Sequence, residues 1–486
     1  MTLFESVFGI GIDGLRAWMQ AADWFAIRYL LVFSVGYAAL LLLSIPELWN
    51  HWRMASDEHL QRLLASEAVP PISLLVPAFN EEVNIKDSLL SFLTIEYPNL
   101  EVVVVNDGSS DRTMQRMQEV FELYEVPPAF SLMLPSKPVR AYYRSRLHSR
   151  LLVLDKENGG KADALNAAMN AARHPFVVSV DADTIIEPDA LLRLARPFLL
   201  YPNIAAVGGT VRVVNSCTVE YGRVTTARVP RTWLEGCQVI EYQRAFMFGR
   251  MGWNALGGNL IISGAFGLFR KEYLRAIGGY LTGNVTEDME LTVRLHRYLR
   301  EKKIKAQLPF IPDPVAWTEV PASVAVLRRQ RERWQRGLIA TLWKHRGMCF
   351  DRRYGITGMV TYPWFVFGEA LAPIVELVGW SVLLIGLAIG AIDASFAYLF
   401  LLVGLGFMVL MSVWALILEE VSFRKYRARG DFWRLLGFCF LEGLGFRQLT
   451  LLFRVQAYWN ALRGSDGWGR MTRQGIGRPA EAPSLD

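Results

Sequence analysis

Residues 24–45, from Trp24 to Ile45, hold a single charge, Arg28, near their start. About 20 apolar residues cross the hydrocarbon core of a bilayer as one helix, so this run predicts a span. Two runs near the other end, 371–392 and 396–418, have the same character and are joined by the short turn Ile392-Asp393-Ala394. Run 359–368 is too short to cross and reads as an interfacial or re-entrant piece. Run 433–453 contains Arg434, Glu442 and Arg447; it reads either as a crossing or as a bent pair of helices along the interface. Between these ends, residues 70–320 carry charges throughout, like a water-soluble domain. A mean hydropathy of +0.22 beside 20% charged residues reflects that partition, and 486 residues leave room for two to four domains.

Charge placement is more telling than the net value of +6. Basic residues crowd 323–353 and recur at Arg424, Lys425, Arg427 and Arg429, each cluster beside an apolar run. Lysine and arginine in such positions mark the cytoplasmic side. No nucleic-acid-binding motif accompanies them, so nucleic acid is not an expected partner. The four cysteines, Cys217, Cys237, Cys349 and Cys439, show no CxxC pairing and no metal-ligand spacing, which argues against a disulfide or zinc framework. Charged residues precede the first apolar run, which does not read as a cleavable signal. Residues 1–22 are amphipathic, with interfacial helix and disorder as the two readings.

From Ile72 the period changes. Ile72–Pro77, Leu100–Asn106, Leu151–Leu154 and Phe176–Val180 are short β-rich runs, each followed by a turn signal and a helical stretch (82–93, 111–123, 161–172 and 187–199). Apolar strands alternating with helices predict an α/β domain with a parallel-rich sheet covered on both faces. Ligands bind at the carboxyl ends of such strands, and Asp107 and the Asp181–Asp183 pair fall there. A strand near 205–214, an aromatic-rich helix around 234–250, a helix from about Glu287 to Arg300 and an amphipathic helix over 321–347 complete the reading.

The first strand ends in Pro77-Ala78-Phe79-Asn80-Glu81 and the second in Asp107-Gly108-Ser109-Ser110-Asp111. Asp107 is placed to accept hydrogen bonds from a ligand, whereas Asp111 reads as a helix cap. Lys161, after Asn158-Gly159-Gly160, can reach a phosphate from a helix start, but the spacing is not that of a nucleoside-triphosphate loop. Asp181-Ala182-Asp183 sets two carboxylates one residue apart. They repel unless a solvated turn screens them or a cation sits between them; a hard divalent ion, Mg²⁺ or Mn²⁺, held with sugar-nucleotide phosphates would do so. Thr286-Glu287-Asp288 opens a helix, with Thr286 as a candidate cap. One of its carboxylates, Asp288 by preference, is a candidate to take a proton from a sugar hydroxyl. In Gln330-Arg331-Glu332-Arg333-Trp334, residues 330, 333 and 334 share a helix face. Arginine grips a diphosphate by paired hydrogen bonds, and tryptophan offers a flat face to a sugar ring. The plainer reading of this string is a basic helix on lipid headgroups.

Taken together, Asp107, Asp181-Ala182-Asp183, Thr286-Glu287-Asp288 and Gln330-x-x-Arg333-Trp334 resemble the processive family 2 glycosyltransferases, the group of cellulose, hyaluronan, chitin-oligosaccharide and poly-N-acetylglucosamine synthases. The resemblance covers about 70–345 closely and the membrane segments loosely. It implies a GT-A (Rossmann-like) fold and an inverting transfer from a UDP-sugar (UDP-glucose or UDP-N-acetylglucosamine) to a glycan or lipid acceptor at the bilayer. By position, Asp107 would bind uracil or ribose with help from Pro77, Asn80, Glu81 and Lys161. Asp181 would support the nucleotide, and Asp183 would ligate Mg²⁺ or Mn²⁺. Asp288 looks like the general base. Gln330 and Arg333 would hold the diphosphate, and Ser263, Gly264 and Trp334 the acceptor. The membrane portion is small beside that of cellulose synthases, so a polymer channel within one chain is not implied, and accessory export subunits are compatible with the pattern. Gln335-Arg336-Gly337 looks closer to the bacterial poly-N-acetylglucosamine type.

The expected layout is an N-terminal amphipathic and transmembrane segment over 1–49 and a linker over 50–69. The GT-A domain follows over 70–320, then interfacial helices over 321–370, a membrane region over 371–460 and a loose tail over 461–486. The expected location is the plasma (inner) membrane, multi-pass, with the catalytic domain in the cytosol. Two alternatives stand beside a polysaccharide synthase. One is a non-processive transferase that makes a glycolipid. The other is a non-enzymatic scaffold or transporter, which Glu376, the lone charge in the two clean spans apart from Asp393 in the turn between them, supports poorly.

Overall fold

A computed structural model of the chain describes residues 12–54, 58, 62, 69–128, 132–390, 392, 394–428 and 430–463. The readings for residues 1–11 and for the tail from 464 lie outside the described residues. A ten-stranded mixed sheet is built from β1 (Ile72–Ala78), β2 (Leu100–Asn106), β3 (Leu123–Val126), β4 (Val139–Ser145), β5 (Leu151–Lys156), β6 (Phe176–Val180), β7 (Ile185–Ile186), β8 (Ala206–Val213), β11 (Phe266–Arg270) and β12 (Phe310–Thr318). β9 (Thr218–Glu220) and β10 (Arg223–Thr226) form a separate hairpin. The order is β3-β4-β5-β2-β1-β6-β11-β8-β12-β7. β5, β2, β1 and β6 are mutually parallel, so their carboxyl ends form one rim. Strand order reverses on either side of β1, which opens a crevice there.

Both faces of this centre are covered. Leu74, Val76, Val102 and Val104 pack into one core, and Leu75, Val103 and Val105 into the other. Each such side chain contributes about 1.5–3 kcal/mol relative to exposure. The four anticipated parallel strands are present at their anticipated places, and the helices after them run Ile85–Leu93, Thr113–Phe121, Lys161–Ala171 and Ala190–Leu200. β4 and β12 were not anticipated. Val139–Ser145 has only one buried residue and carries Arg140 and Arg144, so it shows no apolar run. β12 carries Pro312 and Pro314, residues that argue against a strand, and its register to β8 shifts at Ile311/Pro314 and Pro314/Ala316.

Eight helices frame the sheet rim and the apolar region: α1 (Ile12–Met54), α2 (Lys161–Ala171), α3 (Trp233–Arg244), α4 (Glu287–Glu301), α5 (Val324–Lys344), α6 (Thr357–Ala388), α7 (Ala397–Ser422) and α8 (Asp431–Ala461). Among the described residues four helices are long and apolar enough to cross a membrane: the Ala17–Arg53 part of α1, and α6, α7 and α8. α1 runs unbroken past the expected linker boundary at 49/50. The short run 359–368 is not a separate piece. It belongs to α6, where π-turns at Thr357–Thr361 and Phe365–Ala370 carry the backbone through Pro363. The expected boundary at 370/371 therefore falls inside a helix. α8 is bent, with non-helical backbone at Leu444 and Gly445. Polar side-chain contacts tie these helices to the sheet. His51 at the end of α1 meets Asp313 of β12 at 2.7 Å, and Arg212 of β8 meets Glu419 of α7.

Candidate active site

The loops after β1 and β2 are tied together before any ligand is considered. Asn80, at φ +57°, donates its N–H to Ser109 Oγ and accepts at Oδ1 from the Ser110 N–H, at 3.0 and 2.8 Å. The Glu81 N–H donates to Thr113 Oγ1 at 2.8 Å. Asp111 accepts from the Thr113 N–H at 2.9 Å; it lies one residue before the N-cap position, which Arg112 occupies without a side-chain cap, so the expected cap becomes a turn leading into the helix.

Asp107 is placed differently from expectation. It is 2% exposed, and both of its oxygens face the chain itself. Oδ1 meets Lys156 Nζ at 2.7 Å and the Gly159 N–H at 3.0 Å, and Oδ2 meets the Gly160 N–H at 2.7 Å. Lys156, fully buried, also pairs with Asp163 at 2.5 Å. Asp107 thus shapes the 158–160 loop that launches α2, and with Pro77, Asn80 and Glu81 it stands outside the lining of the main cavity. Sequence reasoning missed Lys156; a lysine closing a buried strand beside an aspartate was the available signal.

That cavity, about 490 Å³, opens at the rim of the sheet against α4 and α5. Nine predicted residues line it: Lys161, Asp181, Asp183, Ser263, Gly264, Asp288, Gln330, Arg333 and Trp334. Lys161 reaches across from α2 to Asp181 Oδ1 at 2.5 Å and Glu287 Oε1 at 2.8 Å. Burial works against its charge, but the two carboxylates outweigh burial and hold its pKa above that of a free lysine. This corrects the argument from repulsion between Asp181 and Asp183: the cation that relieves Asp181 is the chain's own Lys161.

Asp288 sits at the start of α4. Its Oδ2 accepts from the Gly264 N–H at 3.1 Å and its Oδ1 from its neighbour Met289's N–H at 2.8 Å. Burial, and next the Glu287 charge, raise its pKa above the ordinary carboxylate value, while Lys161 and the two N–H groups pull the other way. Thr286 does not cap the helix with its side chain. It packs against α5 instead, where a Cβ on Gly337 would lie 2.2 Å from Thr286 Cγ2. Gly337→Ala is therefore expected to push α5 off α4, costing about 1–3 kcal/mol and lowering turnover. A thermal-inactivation series alongside initial rates checks this.

α5 is capped by Ser323, whose Oγ accepts from the Val326 N–H, and shows a different residue to each neighbour. Gln330, Arg333 and Trp334 face the cavity. Arg331 stacks 4.4 Å from the Trp334 ring centroid and donates to Glu241 of α3 at 2.6 Å. Gln335 meets Tyr458 and Arg454 of α8 at 3.2 and 2.8 Å. Tyr242 and the 318–323 segment also line the cavity and were not anticipated; neither carries a motif.

The site suits a divalent ion that substrate completes. Among the described residues no three His, Cys, Asp or Glu side chains group into a metal cage. Asp183 presents a carboxylate to a cavity with room for a diphosphate, and Mg²⁺-type ions are commonly held by one or two carboxylates plus phosphate oxygens and water.

Residues 73–278 match the family described as Glycosyl transferase family 2, and residues 176–416 match Glycosyl transferase family group 2. Among curated proteins the chain is similar to the poly-beta-1,6-N-acetyl-D-glucosamine synthase of Staphylococcus epidermidis, 29% identical over 289 residues, which is 60% of this chain and 58% of that protein. It is likewise similar to the synthase of the same description from Staphylococcus aureus (strain COL), 29% identical over 267 residues, 55% of this chain and 54% of that protein. The chain therefore aligns with somewhat over half the length of these relatives. Of solved structures it is similar to the mannosyltransferase PcManGT from Pyrobaculum calidifontis in complex with GDP-Man and Mn²⁺, at 18% identity and a TM-score of 0.48, covering 87% of this chain and 99% of that one.

Proposed function

The chain belongs to the family 2 glycosyltransferases, and on that premise we propose that it is a membrane-bound, inverting synthase that extends a β-linked exopolysaccharide from a UDP-sugar, processively. The observation that carries this reading is the single cavity joining Lys161, Asp183, Asp288 and the Gln330–Trp334 face of α5. A soluble donor and a growing glycan meet there, on a helix tied to the apolar helix α8.

In the proposed reaction Lys161 and Arg333 bind the donor's diphosphate, with Gln330 beside them. Asp183 is the residue that would hold Mg²⁺ or Mn²⁺, and the chemistry such an ion supplies is neutralisation of charge on the departing nucleotide. Trp334 stacks the terminal acceptor sugar, and the Ser263–Gly264 loop sets its depth. Asp288 takes the proton from the acceptor hydroxyl as that oxygen bonds to the anomeric carbon. The bond from that carbon to the diphosphate oxygen breaks with its electron pair, and UDP leaves with inversion. Residues 77–81 and Asp107 support the nucleotide side through the shape of their loops. The donor is UDP-N-acetylglucosamine or UDP-glucose; similarity to poly-N-acetylglucosamine synthases favours the first.

We place the catalytic domain on the cytosolic side of the plasma (inner) membrane, supported by the four apolar helices and the basic residues that border them. Accessory export subunits would complete the path for the polymer. The test supplies a panel of UDP-sugars to the purified protein with and without Mn²⁺ and follows UDP release and product size. One sugar is expected to dominate, dependent on the metal, with a ladder of products. A single chloroform-soluble product would replace polymer synthesis with glycolipid synthesis.

A further inference from the structure

Glu287 has no role in the reaction just described, yet it makes one of the two closest contacts to the donor-side lysine. The ammonium of Lys161 lies 2.8 Å from Glu287 Oε1 and 2.5 Å from Asp181 Oδ1. Glu287 is 12% exposed in its side chain, so water screens this pair little. The base is close by. A Cβ on Gly264 would lie 3.2 Å from Lys161 Nζ and 3.4 Å from Asp288 Oδ2, which puts the ammonium and the base carboxylate around one backbone point.

We propose that Glu287 is a positioning residue that acts through Lys161: with Asp181 it holds the ammonium beside Asp288 until a donor diphosphate takes it over, so that filling the donor site changes the proton affinity of the base. This rests on the reading of Lys161 as a diphosphate ligand and Asp288 as the base. The charges around Asp288 support the direction of the coupling. Glu287 on its own helix opposes its ionisation, and Lys161 from α2 favours it. Arg250, enclosed by the Phe246 and Phe310 rings at 4.3 and 5.7 Å, and Tyr280 from the loop before α4 also interact with its charge. When a diphosphate draws the ammonium away, Glu287 loses its counter-ion and Asp288 gains proton affinity. The base is then strongest when a donor is present to react, and weaker when the site is empty.

Glu287→Gln separates the parts. It removes the charge and keeps an oxygen for Lys161. Two shifts are expected. UDP with Mg²⁺ should bind roughly threefold to tenfold more tightly, because one competitor for the ammonium is gone. The acid limb of kcat/KM should move down by roughly half to one pH unit, because the neighbouring negative charge that raised the Asp288 pKa is gone. Glu287→Asp keeps the charge and withdraws it from Lys161, and serves if the glutamine variant does not fold. For it, tighter UDP binding with the acid limb near its wild-type position is expected. A purely structural glutamate would give weaker UDP binding and an unmoved pH profile in the glutamine variant, and that result overturns the proposal. Asp288→Asn is measured alongside: if it keeps turnover, or if the wild type binds no UDP, the underlying reading falls and takes the proposal with it. An unmoved profile in Glu287→Gln beside an inactive Asp288→Asn overturns the proposal alone.

Discussion

Asp288→Asn is expected to lower sugar transfer by roughly 10²- to 10⁴-fold, the usual contribution of a positioned general base, while UDP binding stays within a few-fold of wild type. The asparagine fills the same volume and keeps an oxygen for the Gly264 N–H, so the pocket should persist; what is lost is the basic carboxylate that receives the acceptor's proton in the proposed reaction. The wild-type pH profile carries the same signature. Burial and the Glu287 charge hold the Asp288 pKa above the ordinary carboxylate value, and a base works only when ionised. Activity should therefore rise with pH along an acid limb displaced upward from the range of a free aspartate, and that limb should vanish from the residual activity of the variant. Initial rates across pH for both proteins, with UDP affinity measured on the same preparations, check both halves.

Lys156→Met should have the largest effect on stability. The ammonium is fully buried between Asp107 and Asp163, whose side chains are 4% and 7% exposed. Removing it leaves two carboxylates in an enclosed space with only backbone donors. The loss of one partner from a buried ionic cluster costs about 3–5 kcal/mol. The damage should also reach function, since Asp107 shapes the loop that starts α2 and aims Lys161. Lower resistance to thermal inactivation and weaker UDP binding are expected together. Adding Asp163→Asn should restore part of the stability by removing one uncompensated charge, and failure of the double variant to recover any would place the cost elsewhere.

The centre of the sheet was readable because its strands are buried on both faces and so spell near-continuous apolar runs. The outer strands were not. Val139–Ser145 pairs between β3 and β5 with most of its side chains half-exposed, and Phe310–Thr318 bends through two prolines, so neither shows the period on which sequence reading depends. The site divided in the same way. Asp181, Asp183 and Asp288 stand at strand ends or helix starts, where chain geometry alone suggests a ligand. The partners of those groups did not show. That Lys161 would meet both Asp181 and Glu287, or that Asp107 would turn inward to Lys156 and the 159–160 backbone, depends on side chains from separate elements converging. Thr286 illustrates the limit: its place before a helix reads as a cap, whereas the deciding fact is a glycine fifty-one positions later that leaves room for it.

α5 presents Gln330, Arg333 and Trp334 to the cavity, Arg331 to α3, Gln335 to α8 and Gly337 to Thr286. Within eight residues, four separate surroundings are addressed by angle around one axis. Each added or deleted residue turns everything beyond it by about 100°, so a single insertion before 335 would misdirect the later contacts at once. Substitution can be absorbed one face at a time; a shift in phase cannot. One rotational setting of this helix thus fixes the contact with α8, the face shown to the cavity and the seat of Thr286 together.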